Sequence, residues 1–372
     1  MLQKLFRALN FPKKFDGLLI ERQEPCKICG TKHALKISET DFWDLQHCSI
    51  VKCTACNNIQ LDPMLTDEST ALGCYAYHIN EMLRVSQIEQ KRNLIRNYRR
   101  GILFANQLKR LGFSPKEILE FGPGSGYFAS GIQFIFPDSK ITVVDIVDDV
   151  LKRNKEIHNF DGIKGTPENT EEIGKRKYNL IIARDIIEHV TDISKMLKNV
   201  SQLLNENGMF HFLTPNGHED VWGHYLRWKI SHRPSELLIN HVNYFDGKGL
   251  LDLMKKNLLL PIRYYTYQIK STIRGKGWSN KNSRAQKLSE NVSAMAEVNN
   301  KENLLSDINF DKNEVLDHWY ISERHKWITL MYSWYHHHWI FRLSPQLNIG
   351  HEIYGLFIKS SSNLKEYRFD RE

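Results

Sequence analysis

From Ile118 onward the chain repeats one rhythm: a short apolar run, a turn, then a stretch whose apolar positions recur every three to four residues. The runs KEILEFG (from Lys116), KITVVDI (from Lys140), YNLIIARD (from Tyr178) and GMFHFLTPN (from Gly208) read as strands, and the amphipathic segments between them as helices. PIRYYTYQ (from Pro261) and EIYGLFIKS (from Glu352) read as two further strands, the last of the sheet. Such alternation predicts an α/β domain with a largely parallel sheet covered by helices on both faces.

The rhythm is absent at the front and is broken late. Residues 1–24 read as an N-terminal arm, 25–78 as a Cys-rich module, and 79–274 as the α/β core, entered through a helical connector rich in Arg, Gln and Asn. A polar stretch from Gly275 to Glu302 precedes HKWITLMYSWYHHHWIF, dense in Trp, Tyr and His. Residues 275–346 therefore read as a helical insertion, a cap before the last strand, and 347–372 as that strand with a C-terminal tail. No internal repeat is evident.

Glu120-Phe-Gly-Pro-Gly-Ser-Gly126 follows the first strand and opens a helix, so Gly122, Gly124 and Gly126 stand where a ligand approaches the backbone closely. Asp145, nineteen residues past Gly126, ends the next strand, where a carboxylate can accept hydrogen bonds from both hydroxyls of a ribose. A dehydrogenase uses a related loop, so the glycines alone do not separate nicotinamide from other nucleosides. In order and spacing, EFGPGSG, VVDIVDD, YNLIIARDIIEHVTD and LLNENGMFHFLTPN resemble the motifs of class I S-adenosylmethionine-dependent methyltransferases, over roughly Ile118 to Asn216. The resemblance implies a Rossmann-like seven-stranded sheet and S-adenosylmethionine as cofactor. It also implies Glu120, the three glycines, Asp145 and Asp185 as cofactor-binding residues, and a looser adenine contact at Gly165-Thr-Pro-Glu168.

Asp185-Ile-Ile-Glu188-His189 follows the strand from Tyr178, and on a helical turn its first and fourth residues share a face with His189 adjacent. With His241, this resembles the carboxylate, Glu-His and distant His of the magnesium-assisted methyltransferases, which implies Mg2+ holding an acceptor hydroxyl. Without a metal, His189 or His241 is the candidate general base, so the catalytic set reads His189, His241, Asp185 and Glu188. His218, Trp222, His224 and Tyr225 either wall the acceptor pocket or pack as core.

Cys26-x-x-Cys29 and Cys53-x-x-Cys56, 23 residues apart, have the two-knuckle spacing of a structural zinc site with four cysteine ligands. Four thiolates leave no open position, so the metal folds the module rather than catalysing. His33, His47 and Cys48 are nearby substitutes, and Cys74 is left over. The knuckle, followed by Tyr75, Tyr77 and His78 and then the core, resembles bacterial methyltransferases of nucleotide-linked deoxysugars, in which the zinc module helps bind substrate. The C-terminal half departs from their carbon-methylating members, which makes a sugar hydroxyl at least as plausible an acceptor as carbon.

A net charge of +8 favours anionic partners without choosing among them. The leading expectation is a methyltransferase acting on a sugar, a nucleotide sugar or another small hydroxylated acceptor in glycan or natural-product biosynthesis. The alternative is an RNA methyltransferase, although no basic-aromatic ribbon is visible. No stretch approaches the ~20 apolar residues of a membrane span, and the basic, interrupted N-terminus lacks a secretory signal, so a cytoplasmic protein is expected. Leu2, Leu5, Phe6 and Leu9 share one helical face, which allows a peripheral membrane contact or simple packing. Oligomeric state is not legible.

Overall fold

A computed structural model describes residues 15–42, 46–66, 69, 87–169, 173, 176–236, 241–267 and 352–360. The N-terminal amphipathic stretch, Cys74, Tyr75, Tyr77, His78 and the insertion at 275–346 lie outside them.

The N-terminal module is an antiparallel meander of β1 (Leu18–Glu21), β2 (His33–Phe42), β3 (Gln46–Cys53) and β4 (Ile59–Asp62). Helix α1 (Gln87–Arg110) leads into the alternation. In order come β5 (Glu117–Phe121), α2 (Tyr127–Ile135), β6 (Lys140–Asp145), α3 (Asp148–His158), β7 (Asp161–Lys164) and β8 (Tyr178–Arg184). There follow α4 (Ile193–Leu203), β9 (Leu204–Pro215), α5 (Gly217–Ser231), β10 (Ser235–Glu236), β11 (Asn243–Tyr244), α6 (Gly247–Lys256), β12 (Leu259–Tyr267) and β13 (Glu352–Lys359).

The larger sheet has the order β12-β13-β9-β8-β5-β6-β7. Its strands are parallel except β13, which runs antiparallel between β9 and β12. This is the largely parallel α/β sheet expected from the apolar rhythm, with the seven strands that the resemblance implies. Alternate residues feed two cores. Leu119, Phe121, Ile181 and Ala183 face Met196, Leu197 and Val200 of α4, while Ile118, Val143, Leu180 and Ile182 face Phe104, Leu108, Phe128 and Ile132 of α1 and α2. Burial on both faces is why these strands read as continuous apolar runs. Helix α4 buries Ile193, Met196, Leu197 and Val200, one stripe at helical spacing, and starts where the Asp192 side chain accepts from Lys195 N at 2.9 Å.

Two differences from the sequence reading have simple causes. Strand β7, sequence DGIK, gives no strand signal because it is a four-residue edge with three exposed positions, leaving no apolar run. Strand β12 tolerates Pro261 because it is the opposite edge and its register shifts between Pro261 and Arg263.

The smaller sheet is not built by residues 25–78 alone. Strand β10 adds parallel to β2, and β11 adds antiparallel to β4, with Asn243 opposite Gln60. Phe15, Phe42, Ile50 and Leu61 share one buried cluster with Val221 and Tyr225 of α5 and with Val242 and Tyr244. Phe15 contacts the rings of His218, Trp222 and Tyr225 at 5.1, 5.9 and 5.2 Å, so these three pack at the junction between the sheets.

Candidate functional site

Strand order reverses between β5 and β8, and a crevice outside the strand ends at such a point is where open α/β sheets bind ligands. The glycine loop lies there. Gly122, Gly124 and Gly126 have φ of 60°, 52° and 74°, the left-handed region that favours glycine. Their surroundings differ. A Cβ at Gly122 would stand 2.1 Å from Ile186 Cδ1, and one at Gly126 2.0 Å from Asn154 Oδ1, whereas at Gly124 it would meet nothing within 4 Å. Gly124 thus borders open space, while Gly122 and Gly126 also make room for neighbouring side chains. Helix α3 anchors the loop, with Asn154 Nδ2 donating to Gly124 O at 3.0 Å and His158 Nε2 3.0 Å from Ser125 O.

Glu120 is buried and its Oε2 has no hydrogen-bond partner. Burial pushes its carboxyl up to about 8, opposed by the Arg184 guanidinium, which itself sits 4.1 Å from the Phe128 ring centre. Asp145 closes β6 half-buried, its Oδ1 accepting from Val147 N at 2.9 Å. Glu168 is engaged elsewhere: its Oε1 accepts from Thr191 N and Oγ1 at 3.0 and 3.3 Å, tying the loop after β7 to the segment after β8.

The DIIEH segment is not helical. Residues 187–189 form a turn, with His189 N donating to Ile186 O at 2.9 Å. Asp185 has φ 55°, held by its N–H donating to Leu213 O at 2.8 Å. Asp185 is exposed and Glu188 is buried, on the turn rather than on a helix. Glu188 Oε2 accepts from Thr214 Oγ1 at 3.0 Å, while its Oε1 has no partner. Burial, reinforced by Asp185 and opposed by His241, pushes the Glu188 carboxyl up to about 8.

His241 supplies the third group. Its Nδ1 lies 2.7 Å from Asp220 Oδ2, and its ring meets that of His189 edge-on at 4.9 Å. Burial disfavours the imidazolium, but Asp220, Glu188 and Asp185 outweigh it and the net shift is upward. One donor atom each from Glu188, His189 and His241 lies within 4.8 Å of the others, and this group could hold a metal ion. Asp185 is not part of it. Two imidazoles and one carboxylate suit a transition ion, whereas Mg2+ prefers oxygens, so the donor set lends Mg2+ no support. Asp220 and Thr214 have no signal in the sequence, because nothing local in α5 or β9 marks them; only the fold brings them to His241 and Glu188.

Residues 91–257 match the family model described as a methyltransferase domain. Over these residues, rather less than half of its length, the chain is similar to methyltransferase domains. A malonyl-[acyl-carrier protein] O-methyltransferase of Bacillus cereus is 29% identical over 103 residues, 27% of this chain and 38% of that protein. Its counterpart from Bacillus anthracis is 26% identical over 98 residues, 26% of this chain and 36% of that protein. The matches thus span little more than a third of these curated relatives. Among solved structures, the YcgJ protein of Bacillus subtilis is 14% identical, covering 67% of this chain and 94% of that one, with a TM-score of 0.36.

Beside the methyltransferase domain, the meander brings four thiols together. Cys26 Sγ lies 3.7 Å from Cys56 Sγ and Cys29 Sγ 3.4 Å from Cys53 Sγ, with all four within 4.8 Å of one another. A tetrahedral zinc with Zn–S of about 2.3 Å holds sulfurs roughly 3.8 Å apart, so the cluster has the size of such a site. The two knuckles are built alike: Gly30 N donates to Cys26 O and Asn57 N to Cys53 O, and both fifth residues are left-handed, at φ 75° and 60°. Cys48 sits in the hydrophobic core, its thiol pushed up to about 12 by burial, and His47 pairs with Asp41 at 2.6 Å. Among the described residues no helix is long and apolar enough to cross a membrane.

Proposed function

We propose that the chain methylates a hydroxyl of a sugar, a nucleotide sugar or another small hydroxylated acceptor, using S-adenosylmethionine as donor and His241 as general base. The observation that carries this reading is the Asp220–His241 pair beside the buried Glu188, on the segments that follow β8 and β9. The crevice suits the donor: Gly124 faces open space, Asp145 ends β6 where ribose hydroxyls are met, and the unpartnered Glu120 Oε2 lies at the start of the loop. When bound, S-adenosylmethionine supplies an electrophilic methyl, whose bond to sulfur breaks with its electron pair going to sulfur as the acceptor oxygen attacks.

His241 Nε2 takes the hydroxyl proton, and Asp220 fixes Nδ1–H and steadies the imidazolium that forms. Asp185, exposed at the end of β8, orients the acceptor hydroxyl, and holding it in line supplies much of the rate. Cys26, Cys29, Cys53 and Cys56 hold a structural zinc. The sugar class rests on the likeness of the knuckle and core to nucleotide-deoxysugar methyltransferases.

Incubation with labelled methyl donor and separate nucleotide-sugar, glycan and RNA fractions tests the reading. Label is expected in the nucleotide sugars or glycan, and His241→Ala should cut transfer about 100-fold or more while S-adenosylmethionine affinity stays within about twofold. Label in RNA, with binding that weakens steeply with salt, would overturn the acceptor class. Absence of S-adenosylmethionine binding would overturn the activity.

A further inference from the structure

The four-cysteine cluster is joined by buried hydrogen bonds to the Glu188 turn and to the strand that follows His241. In the metal-free cluster the Cys26 thiol donates to Gln60 Oε1 at 3.5 Å, and that oxygen also accepts from Arg22 Nη1 at 3.3 Å; a zinc-bound thiolate has no proton, so loading the cluster takes this donor away from Gln60. Gln60 Nε2 donates to Asn243 Oδ1 at 2.8 Å, and Asn243 Nδ2 donates to Val190 O at 2.6 Å and Ile187 O at 3.4 Å. The backbone repeats the link: Val242 N and Asn243 N both donate to Glu188 O, at 2.8 and 3.0 Å, while Asn243 pairs across the strands with Gln60. Cys26, Gln60, Asn243 and Glu188 are each no more than 2% exposed. Two buried amides thus face a thiol on one side and the Glu188 turn on the other, and His241 precedes Asn243 by two residues. Buried polar groups are costly unless each is satisfied, so a satisfied chain of this kind specifies one geometry.

We propose that Gln60 and Asn243 are positioning residues that carry the state of the four-cysteine cluster to the Glu188 turn and the His241 segment, so that metal binding, which removes the Cys26 proton from Gln60, resets the geometry of the base. The catalytic meaning rests on His241 being the base; the coupling itself does not. The probe is Zn2+ titrated into metal-free full-length protein while the histidine ring nitrogens are followed by NMR, with His241→Ala used for assignment. In the parent, His241 ring signals shift as one equivalent of zinc binds. In Gln60→Glu, which keeps an acceptor for Arg22 and removes the donor to Asn243, zinc still binds but the His241 shift is lost. Asn243→Asp, which keeps an acceptor for Gln60 and removes the donors to Val190 and Ile187, gives the same loss from the other side, so either variant suffices if the other fails to fold. His241 signals that ignore zinc in the parent, or that follow zinc unchanged in both folded variants, overturn the coupling; the latter outcome would mean zinc binding directly at the histidines. A coupled His241 whose replacement leaves methyl transfer intact would keep the coupling and remove only the base assignment.

Discussion

Asp145 sits half-buried at the end of β6, with Oδ1 accepting from Val147 N, where a carboxylate can meet the hydroxyls of a ribose. Asp145→Ala should weaken S-adenosylmethionine by about 10- to 100-fold, the worth of one or two charge-assisted hydrogen bonds, with the melting temperature nearly unchanged; calorimetry and thermal unfolding check both. Glu120 differs, because its carboxyl is buried without a partner for Oε2 and is raised to about 8 from 4.5. A group raised in the folded state gives its full stability below its unfolded value and loses it as pH climbs through its folded one. Glu120→Gln should therefore match the parent near pH 5 and melt several degrees higher near pH 9; identical pH dependence of unfolding would place that carboxyl in water. His241 is raised by Asp220, and a base must be neutral to accept a proton, so methyl transfer should rise with pH through a value above 6.5. Asp220→Asn should move that limb to lower pH and reduce kcat by about tenfold or more, and a pH–rate profile with an unmoved limb would detach Asp220 from the base.

The loop between β5 and α2 shows how one motif serves two physical ends. Gly126 is pressed by Asn154 of α3, while Gly124, equally left-handed, borders open space. Gly124→Ala should cost only about 1–2 kcal/mol of backbone strain yet place a methyl in the crevice and lower S-adenosylmethionine affinity. Gly126→Ala adds a clash 2.0 Å from Asn154 Oδ1 to similar strain, so its melting temperature should fall further, and equal losses for the two would contradict this division. The spacing of the glycines in EFGPGSG was enough to locate the loop, but all three look alike in a sequence, and only the packing of α3 and Ile186 distinguishes them.

Helix α5 and strands β10 and β11, from the methyltransferase half of the chain, complete the smaller sheet and its buried cluster, so the cysteine module and the methyltransferase domain should unfold together. Cys53→Ser should release zinc and lower a single unfolding transition of the full chain; two separated transitions, or a parent with no zinc by metal analysis, would contradict that. Much of this was legible beforehand, for physical reasons. Strands buried on both faces must be continuous apolar runs, a phosphate- or nucleoside-binding loop must contain glycine, and a cysteine knuckle must keep its two thiols three residues apart. These are local demands that a linear sequence displays. What only the tertiary structure decided was non-local: that Asp220 of α5 meets His241 and that Thr214 meets Glu188. Gln60 of the meander likewise meets Asn243 from the far side of the domain, 183 residues along the chain. Such pairings depend on where β9, α5 and β11 come to rest against one another, and closure over that distance leaves no period, spacing or composition for a sequence to reveal.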